Sequence, residues 1–433
     1  MSKRSRILPE DPPHVIVRTM GNIYRQGMTT ISGGNLSVKD ENGNIWITPT
    51  AIDKGSLRAA DITCVHPDGT ATGRHRPSSE YPLHKAVYDV RPDLKALIHA
   101  HPPALVSFSI AHRVPDTAIM AGLREICGPA GYSAYELPGS EMLGEKIASE
   151  FRRGYSSVIM ENHAATVGGT DLPDALRRLE ALEFCARTIM SGEIIGRPLA
   201  LSDDQMKEYS AQREYIIPQK KSVQPVYGEE KKRGEICRFV QRAWHRELLF
   251  SSCGSVSARL GEDDFLVTPG DVAVYDLHAD DIVRVSGGRR ESGRPPDRYT
   301  WLHQQVYLRH PHINSIIFAQ PPYLMAFGVT DTRVDVRTIP ESWIFLQDIP
   351  SVPFGSQFRG HNEISDLISL NTPALMIRND SVLSTGESIL KAFDRLEIAE
   401  LTAMSLVLSR SLGKVTPIND RQIEELRKAF LKP

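Results

Sequence analysis

The chain has no CxxC pair, no G-x-G-x-x-G turn, no excess of either charge and no apolar run long enough to cross a bilayer. Its five cysteines, Cys64, Cys127, Cys185, Cys237 and Cys253, are odd in number and scattered. That pattern argues against a zinc ribbon or a dithiol motif and predicts reduced, mostly buried thiols in a cytoplasmic protein. Lys and Arg number 51 against 53 Asp and Glu, for a formal net charge of −2. No basic face for nucleic acid or an anionic membrane is implied. The opening residues, MSKRSRILPEDPP, are basic, but no apolar segment follows them, so no signal peptide is expected. A length of 433 residues allows two or three domains with real cores.

What the chain does contain is a long repeat. Residues 83–110 read LHKAVYDVRPDLKALIHAHPPALVSFSI, and residues 302–329 read LHQQVYLRHPHINSIIFAQPPYLMAFGV. SGGNLSV at 32–38 matches SCGSVSA at 252–258. Residues 46–65 match 265–285, and VIMENHAATVGG at 158–169 matches LMIRNDSVLSTG at 375–386. A period of about 220 residues is too long for a solenoid and means two copies of one domain. The expected division is a first domain at 14–205, a charged linker at 206–230 and a second domain at 231–433. The copies differ where chemistry could reside: His99, His101, His163, Glu80 and Asn35 face Phe318, Gln320, Asp380, Tyr299 and Ser255.

Local patterns place these residues. Helices are expected from Pro13 to Arg25, Tyr81 to Val90, Ser140 to Phe151 and Leu172 to Ile195, and a buried strand from Ala96 to Ala100. In a strand, residues two apart share a face, so His99 and His101 can reach one ion. His163 ends another apolar strand run and supplies a third ligand. Three histidines with an open position suit a catalytic rather than a structural metal site. A lone His-x-His arises often by accident. Here all three histidines are replaced together while their flanks remain. His84 recurs as His303 and is read as structural. Glu80 sits at a helix start, where an acid is electrostatically comfortable. Its replacement by Tyr299 points instead to proton transfer or metal ligation. Ser32, Gly33, Gly34 and Asn35 form a small-residue turn, Thr48-Pro49-Thr50 a second, and Ser78 and Ser79 open the helix behind Glu80. Backbone donors, hydroxyls and a helix start suit an anion such as phosphate.

These motifs, SGGNLSV, WITPTAI, PSSE, IHAHP and the Asn162–His163 turn, resemble the class II aldolase/adducin family over nearly all of residues 14–200, and more weakly over 236–410. The resemblance implies an α/β fold: a three-layer α/β/α arrangement around a central, mainly antiparallel sheet, here in two tandem copies. It implies that His99, His101 and His163 bind a divalent ion, usually Zn2+, with Mn2+ or Co2+ as substitutes. Glu80 is then the acid/base and a further metal contact, and Ser32, Asn35, Thr50, Ala51, Ser78 and Ser79 hold a phosphate, with Gly34 in the same turn. Ala51 and Ala164 stand where the family usually has Gly. Ile119 occupies the approximate place of the aldolases' proton-donating Tyr, and Tyr132 and Tyr135 are substitutes without support.

The expected function is a metal-dependent lyase that cleaves a C–C bond of a small hydroxy-carbonyl compound, with or without a phosphate, through a metal-stabilised enediolate. The alternatives are decarboxylation of a hydroxy-keto acid on the same site and a non-catalytic, adducin-like assembly module. The expected partners are the small-molecule substrate and a second copy of the chain, two chains forming a pseudo-tetramer. In that assembly Trp343 and Arg298 are candidates for an active-site wall.

Overall fold

The computed structural model describes residues 11–211, 217–219, 226–291, 293–358 and 363–431. It divides into two compact units. The first comprises residues up to Thr117 together with Leu123–Ala186, and the second Ala118–Gly122 together with residues from Arg187 onward. The compact units part inside the long helix that precedes residue 205, where the sequence placed the start of a linker. Leu201 and Tyr209 share a buried cluster with Ala121 and Phe354 in the second unit. Of the expected linker, residues 212–216 and 220–225 lie outside the described residues. The rest is largely helical, in α7 and α8 below.

The first unit runs α1 (Pro12–Arg25), β1 (Asn35–Lys39), β2 (Ile45–Ile47), β3 (Thr63–Val65), β4 (Ala71–Thr72), α2 (Tyr81–Val90), β5 (Ala96–Ala100), α3 (Pro103–Ile110), α4 (Ala121–Cys127), β6 (Gly131–Ser133), α5 (Glu141–Arg152), β7 (Ser157–Met160), β8 (Ala164–Gly169) and α6 (Leu172–Ile195). The second runs α7 (Asp203–Ala211), α8 (Glu229–His245), β9 (Ser255–Gly261), β10 (Asp264–Val267), β11 (Val283–Ser286), β12 (Arg289–Arg290), α9 (Thr300–Arg309), β13 (Ser315–Ala319), α10 (Pro322–Gly328), α11 (Pro340–Leu346), β14 (Ser351–Val352), α12 (Glu363–Leu367), β15 (Ala374–Ile377), β16 (Ser381–Gly386), α13 (Ile389–Leu408) and α14 (Asp420–Phe430).

Each unit holds one sheet, in the order β4-β3-β2-β1-β5-β8-β7-β6 and β12-β11-β10-β9-β13-β16-β15-β14. The β6–β7 and β14–β15 pairs are parallel, and the other pairs are antiparallel. This is the three-layer α/β/α arrangement, twice. In the second unit Ile317 and Ala319 of β13 pack with α8 and α13, whereas Ile316 and Phe318 pack with α9 and α12. In the first, Leu97 of β5 lies under α2 and α5 with Ile45, Ile47 and Val158. Ile98, on the opposite face, is equally buried. Burial on both faces is why β5 and β13 read as unbroken apolar runs.

Proline and capping chemistry set the helix ends near the site. Pro82 stands in the first turn of α2, and Pro92 follows its C-cap Arg91. The N-cap Ser140 of α5 accepts from the Leu143 amide at 3.1 Å. Each unit also uses one buried carboxylate to cap a short helix. Glu183 accepts from the Ala104 and Leu105 amides of α3 at 3.1 and 3.0 Å. Glu400 accepts from Tyr323 and Leu324 of α10 at 3.0 and 2.8 Å. The cysteines are free, and only Cys253 is not fully buried. No described helix is long and apolar enough to cross a membrane.

Candidate metal centre

His99 lies on β5, in register with Asn35 of β1 and Thr166 of β8. His101 follows just past the strand end, where its amide donates to Met28 O at 3.0 Å. His163 stands in the β7–β8 turn, after Asn162 at φ 51°. Its amide donates to Met160 O at 3.1 Å and to Ser109 Oγ at 2.9 Å. The three imidazoles thus arrive from different segments, with one ligand nitrogen each all within 4.8 Å of one another. Two glycines let the 32–35 turn close on them. A Cβ on Gly33 would stand 2.6 Å from His101 Nδ1. Gly34, at φ +70°, leaves a Cβ position only 2.8 Å from His99 O.

The site fits a cation. Burial lowers the pKa of His99 to about 3 and lowers those of His101 and His163, so all three are neutral lone-pair donors. His99 Nε2 and His101 Nε2 are buried without a hydrogen bond. Native interiors rarely leave such atoms unmatched. Glu80 Oε2 approaches His99 Nε2 to 3.1 Å without hydrogen-bond geometry, and Oε1 lies 3.7 Å from His163 Nε2. Burial works against the Glu80 charge. The Asn35 amide, with His99 and His163 when they are protonated, acts the other way, and the net direction for the carboxyl is below its ordinary value.

Glu80 is the N-cap residue of α2, with no capping hydrogen bond from its side chain. The carboxylate turns inward instead and accepts from Asn35 Nδ2 at 2.8 Å. Asn35 Oδ1 meets His84 Nε2 at 2.5 Å, and His84 Nδ1 meets Ser37 Oγ at 2.6 Å. Both ends of the Asn35 amide are therefore occupied inside the protein.

The other residues of the expected anion cradle are drawn together by loop hydrogen bonds. Ser78 N donates to Thr48 O at 3.1 Å, and Thr50 N to Arg76 O at 3.2 Å, lacing the 48–51 turn to the approach of α2. Lys54 ties the same turn to the 31–34 segment: its amide donates to Ile31 O at 2.9 Å and its Nζ to Pro49 O at 2.6 Å. Among the described residues no protein acceptor takes the Gly34, Ala51 or Ser79 amide. Ser32, Ala51 and Ser79 are exposed, Thr50 is half-buried, and Gly34 and Ser78 are buried. Ala51 has φ +57°, which explains why glycine is usual there.

In the second unit the same place is filled. Tyr299 stacks on Phe318 at 4.8 Å and 8°. Its hydroxyl donates to the Asp380 carboxylate, with oxygens at 2.8 and 2.7 Å. Burial raises the pKa of both Asp380 and Tyr299. Among the described residues no second group of ligands stands close enough to hold a metal. The two wall candidates are engaged within the second unit: Trp343 is buried beside Arg427, and Arg298 lies 4.0 Å over the Tyr209 ring.

Sequence reasoning missed two supports of the histidines. Thr166 Oγ1 lies 3.4 Å from His99 Nδ1, and Ser109 Oγ holds the His163 amide. The signal was in the repeat: Thr166 faces Leu383 and Ser109 faces Gly328, so both polar groups vanish where the ligands do. Residues that orient metal ligands typically contribute 10–100-fold in affinity. Ser109→Ala is expected to weaken divalent-metal binding by roughly tenfold. Competition with a chelator measures this, and an unchanged affinity would remove Ser109 from the site.

A sequence model of the Class II Aldolase and Adducin N-terminal domain matches residues 14–190 and 234–407. The chain is 30% identical over 187 residues to a 5-deoxy-D-ribulose 1-phosphate aldolase of Bacillus thuringiensis, covering 42% of this chain and 85% of that one. It is 28% identical over 199 residues to a 3-oxo-tetronate 4-phosphate decarboxylase of Haemophilus influenzae, covering 45% and 93%. It is 32% identical over 174 residues to an L-fuculose phosphate aldolase of Methanocaldococcus jannaschii, covering 40% and 91%.

Proposed function

We propose that this chain, which belongs to the class II aldolase and adducin family, is a divalent-metal-dependent lyase cleaving a C–C bond of a small hydroxy-carbonyl compound that carries an anionic group. The observation that carries the reading is the convergence of three neutral, buried imidazoles on a tethered carboxylate, Glu80. A divalent ion held by His99, His101 and His163, zinc or in its place Mn2+ or Co2+, would serve as a Lewis acid toward a carbonyl oxygen. Glu80 Oε2 is held by Asn35, which leaves Oε1 to carry the proton to or from the substrate carbon. The Gly34, Ala51 and Ser79 amides, with the hydroxyls of Ser32, Thr50, Ser78 and Ser79, would orient the anion.

Lys54 supports an anionic substrate. Its side chain is buried between the two cradle turns, with no carboxylate in ion-pair range among the described residues. An unpaired buried cation is costly unless an anion joins it. Burial lowers its pKa from 10.5 to about 8. The unfolded chain keeps this proton up to about pH 10.5, and the folded chain releases it near 8, so between them the unfolded state binds more protons. Stability of the ligand-free protein should therefore gain a contribution of roughly 3 kcal/mol as pH rises through that window. Lys54→Met should lack this gain. Denaturant melts at pH 7.5 and 10 compare the two, and identical pH slopes would refute an uncompensated Lys54.

Decarboxylation of a hydroxy-keto acid is the second reading. Ile119, at the expected position of a proton-donating Tyr, is buried and has no acid/base group. Retro-aldol cleavage must take a proton from the distal hydroxyl, whereas loss of CO2 needs a proton only at the carbanion carbon, which Glu80 would relay from solvent. A screen of ketose 1-phosphates and 3-oxo acid phosphates tests both readings by aldehyde and CO2 release. Turnover abolished by a chelator is the expected result. A protein that binds no divalent ion would instead favour an assembly role.

A further inference from the structure

We propose that the second unit carries a binding site of its own, a pocket for a short-chain carboxylate. The proposal stands apart from the lyase reading. A cavity of about 140 Å³ opens beside the end of α10, between the segment that follows that helix and the ends of β14 and β15. Its apolar lining is Phe327, Ile349 and Met376, all buried. Two guanidinium groups, Arg333 and Arg378, share the lining with one carboxylate, Asp331. Arg378 Nη2 meets Asp331 Oδ1 at 2.7 Å and donates to Thr330 O at 3.1 Å. Its Nη1 and Nε have no protein acceptor among the described residues. Arg333 is exposed, and the one lining carboxylate is taken by Arg378. The lining therefore holds a single positive charge in excess.

The first unit shows which substitutions made the pocket. β14 pairs with β15 in the register of β6 with β7: Ser351 stands opposite Met376 as Tyr132 stands opposite Ile159. Ser351 thus replaces Tyr132, a hydroxymethyl group in place of a phenol. Arg378 replaces Glu161. Burial and the Glu161 carboxylate raise the pKa of the Tyr132 phenol, so those two side chains are neighbours in the first unit. Arg333 replaces Val114, in an alignment that runs without a gap to the 3-10 turns at Thr117 and Val336. Glu161 lies 3.4 Å from His112, and Arg378 pairs with Asp331 at the same two positions with the charges exchanged. Loss of a metal centre requires none of these changes, because none of these positions holds a ligand. One removes bulk, two bring positive charge, and all three meet at one cavity.

Size and charge select the ligand. A cavity of that volume takes a molecule of roughly six non-hydrogen atoms. A single excess charge suits a monoanion, and a guanidinium presents its N–H groups as a fork that matches a carboxylate. The apolar lining calls for a hydrocarbon tail. Inorganic phosphate would nearly fill the space and leave that lining without a partner. A four-carbon carboxylate meets all three conditions.

Butyrate is the probe, on the full-length protein stripped of metal with a chelator so that the metal centre does not compete. Calorimetry should give a Kd on the order of 1 mM. Acetate, two methylenes shorter, should bind roughly tenfold more weakly. Ser351→Tyr, which restores the first unit's residue on the same strand, should weaken butyrate binding about tenfold or more by filling the cavity. Arg333→Glu changes only an exposed side chain and should have an effect of about the same size by reversing a charge. Thermal melts of both variants check the fold. In crystals soaked with butyrate, the carboxylate should lie on the two guanidinium groups. No binding at about 50 mM butyrate, equal affinity for butyrate and acetate, butyrate found only at another place, or an affinity in Arg333→Glu within twofold of the parent would overturn the proposal.

Discussion

Replacing Glu80 by Gln is expected to lower kcat by about 10²- to 10⁴-fold while the protein keeps its metal. Gln preserves the shape and can still accept from Asn35 through its amide oxygen, 2.8 Å from the Asn35 amide in the parent. It has no titratable proton. Because the carboxyl is held below its ordinary value, the parent acts as a base across the neutral range. Metal affinity should fall only modestly, since the three imidazoles remain. Stopped assays with metal content measured on the same sample separate the two effects. Near-full activity in Glu80→Gln would remove the acid/base role.

Removal of one imidazole should have the larger effect on the metal. His101→Ala is expected to lose most of the bound ion on dialysis, with turnover at background, because one of the three converging nitrogen ligands is gone and Glu80 is tied to Asn35. The fold should survive. Gly33, whose Cβ position is crowded by the ring in the parent, gains room, and His101 lies at the strand end rather than inside it. Circular dichroism checks this. The stoichiometry of the parent chain belongs to the same experiment. One ion per chain is expected, because Tyr299, Phe318 and Asp380 fill the second unit's equivalent place. Two tightly bound ions per chain would contradict it.

Some elements were legible in the sequence to the residue. The helix over 81–90 and the strand over 96–100 coincide with α2 and β5. There a proline marks each end of the helix, and a five-residue apolar run has room for only one strand. The helix α3, PALVSFSI, was not read. It is apolar on nearly every side, so its pattern has no helical period to detect. Charge and glutamine content suggested a linker after residue 205, whereas Leu201 and Tyr209 pack within the second compact unit.

By itself the sequence determined the duplication, the α/β class and the candidate ligands His99, His101 and His163. Two copies that share flanks and differ at chemistry-bearing positions carry that information in one dimension. Only the tertiary structure decided what each polar side chain faces. Strand register sets Asn35 opposite His99, and a helix start turns Glu80 inward to the same point. The Asn162 turn and the Ser109 hydroxyl bring in His163. Hydrogen bonds form between groups far apart along the chain, and their directions follow from how strands and helices dock. A motif can therefore name Asn35 and Glu80, while only the fold shows the one donating to the other.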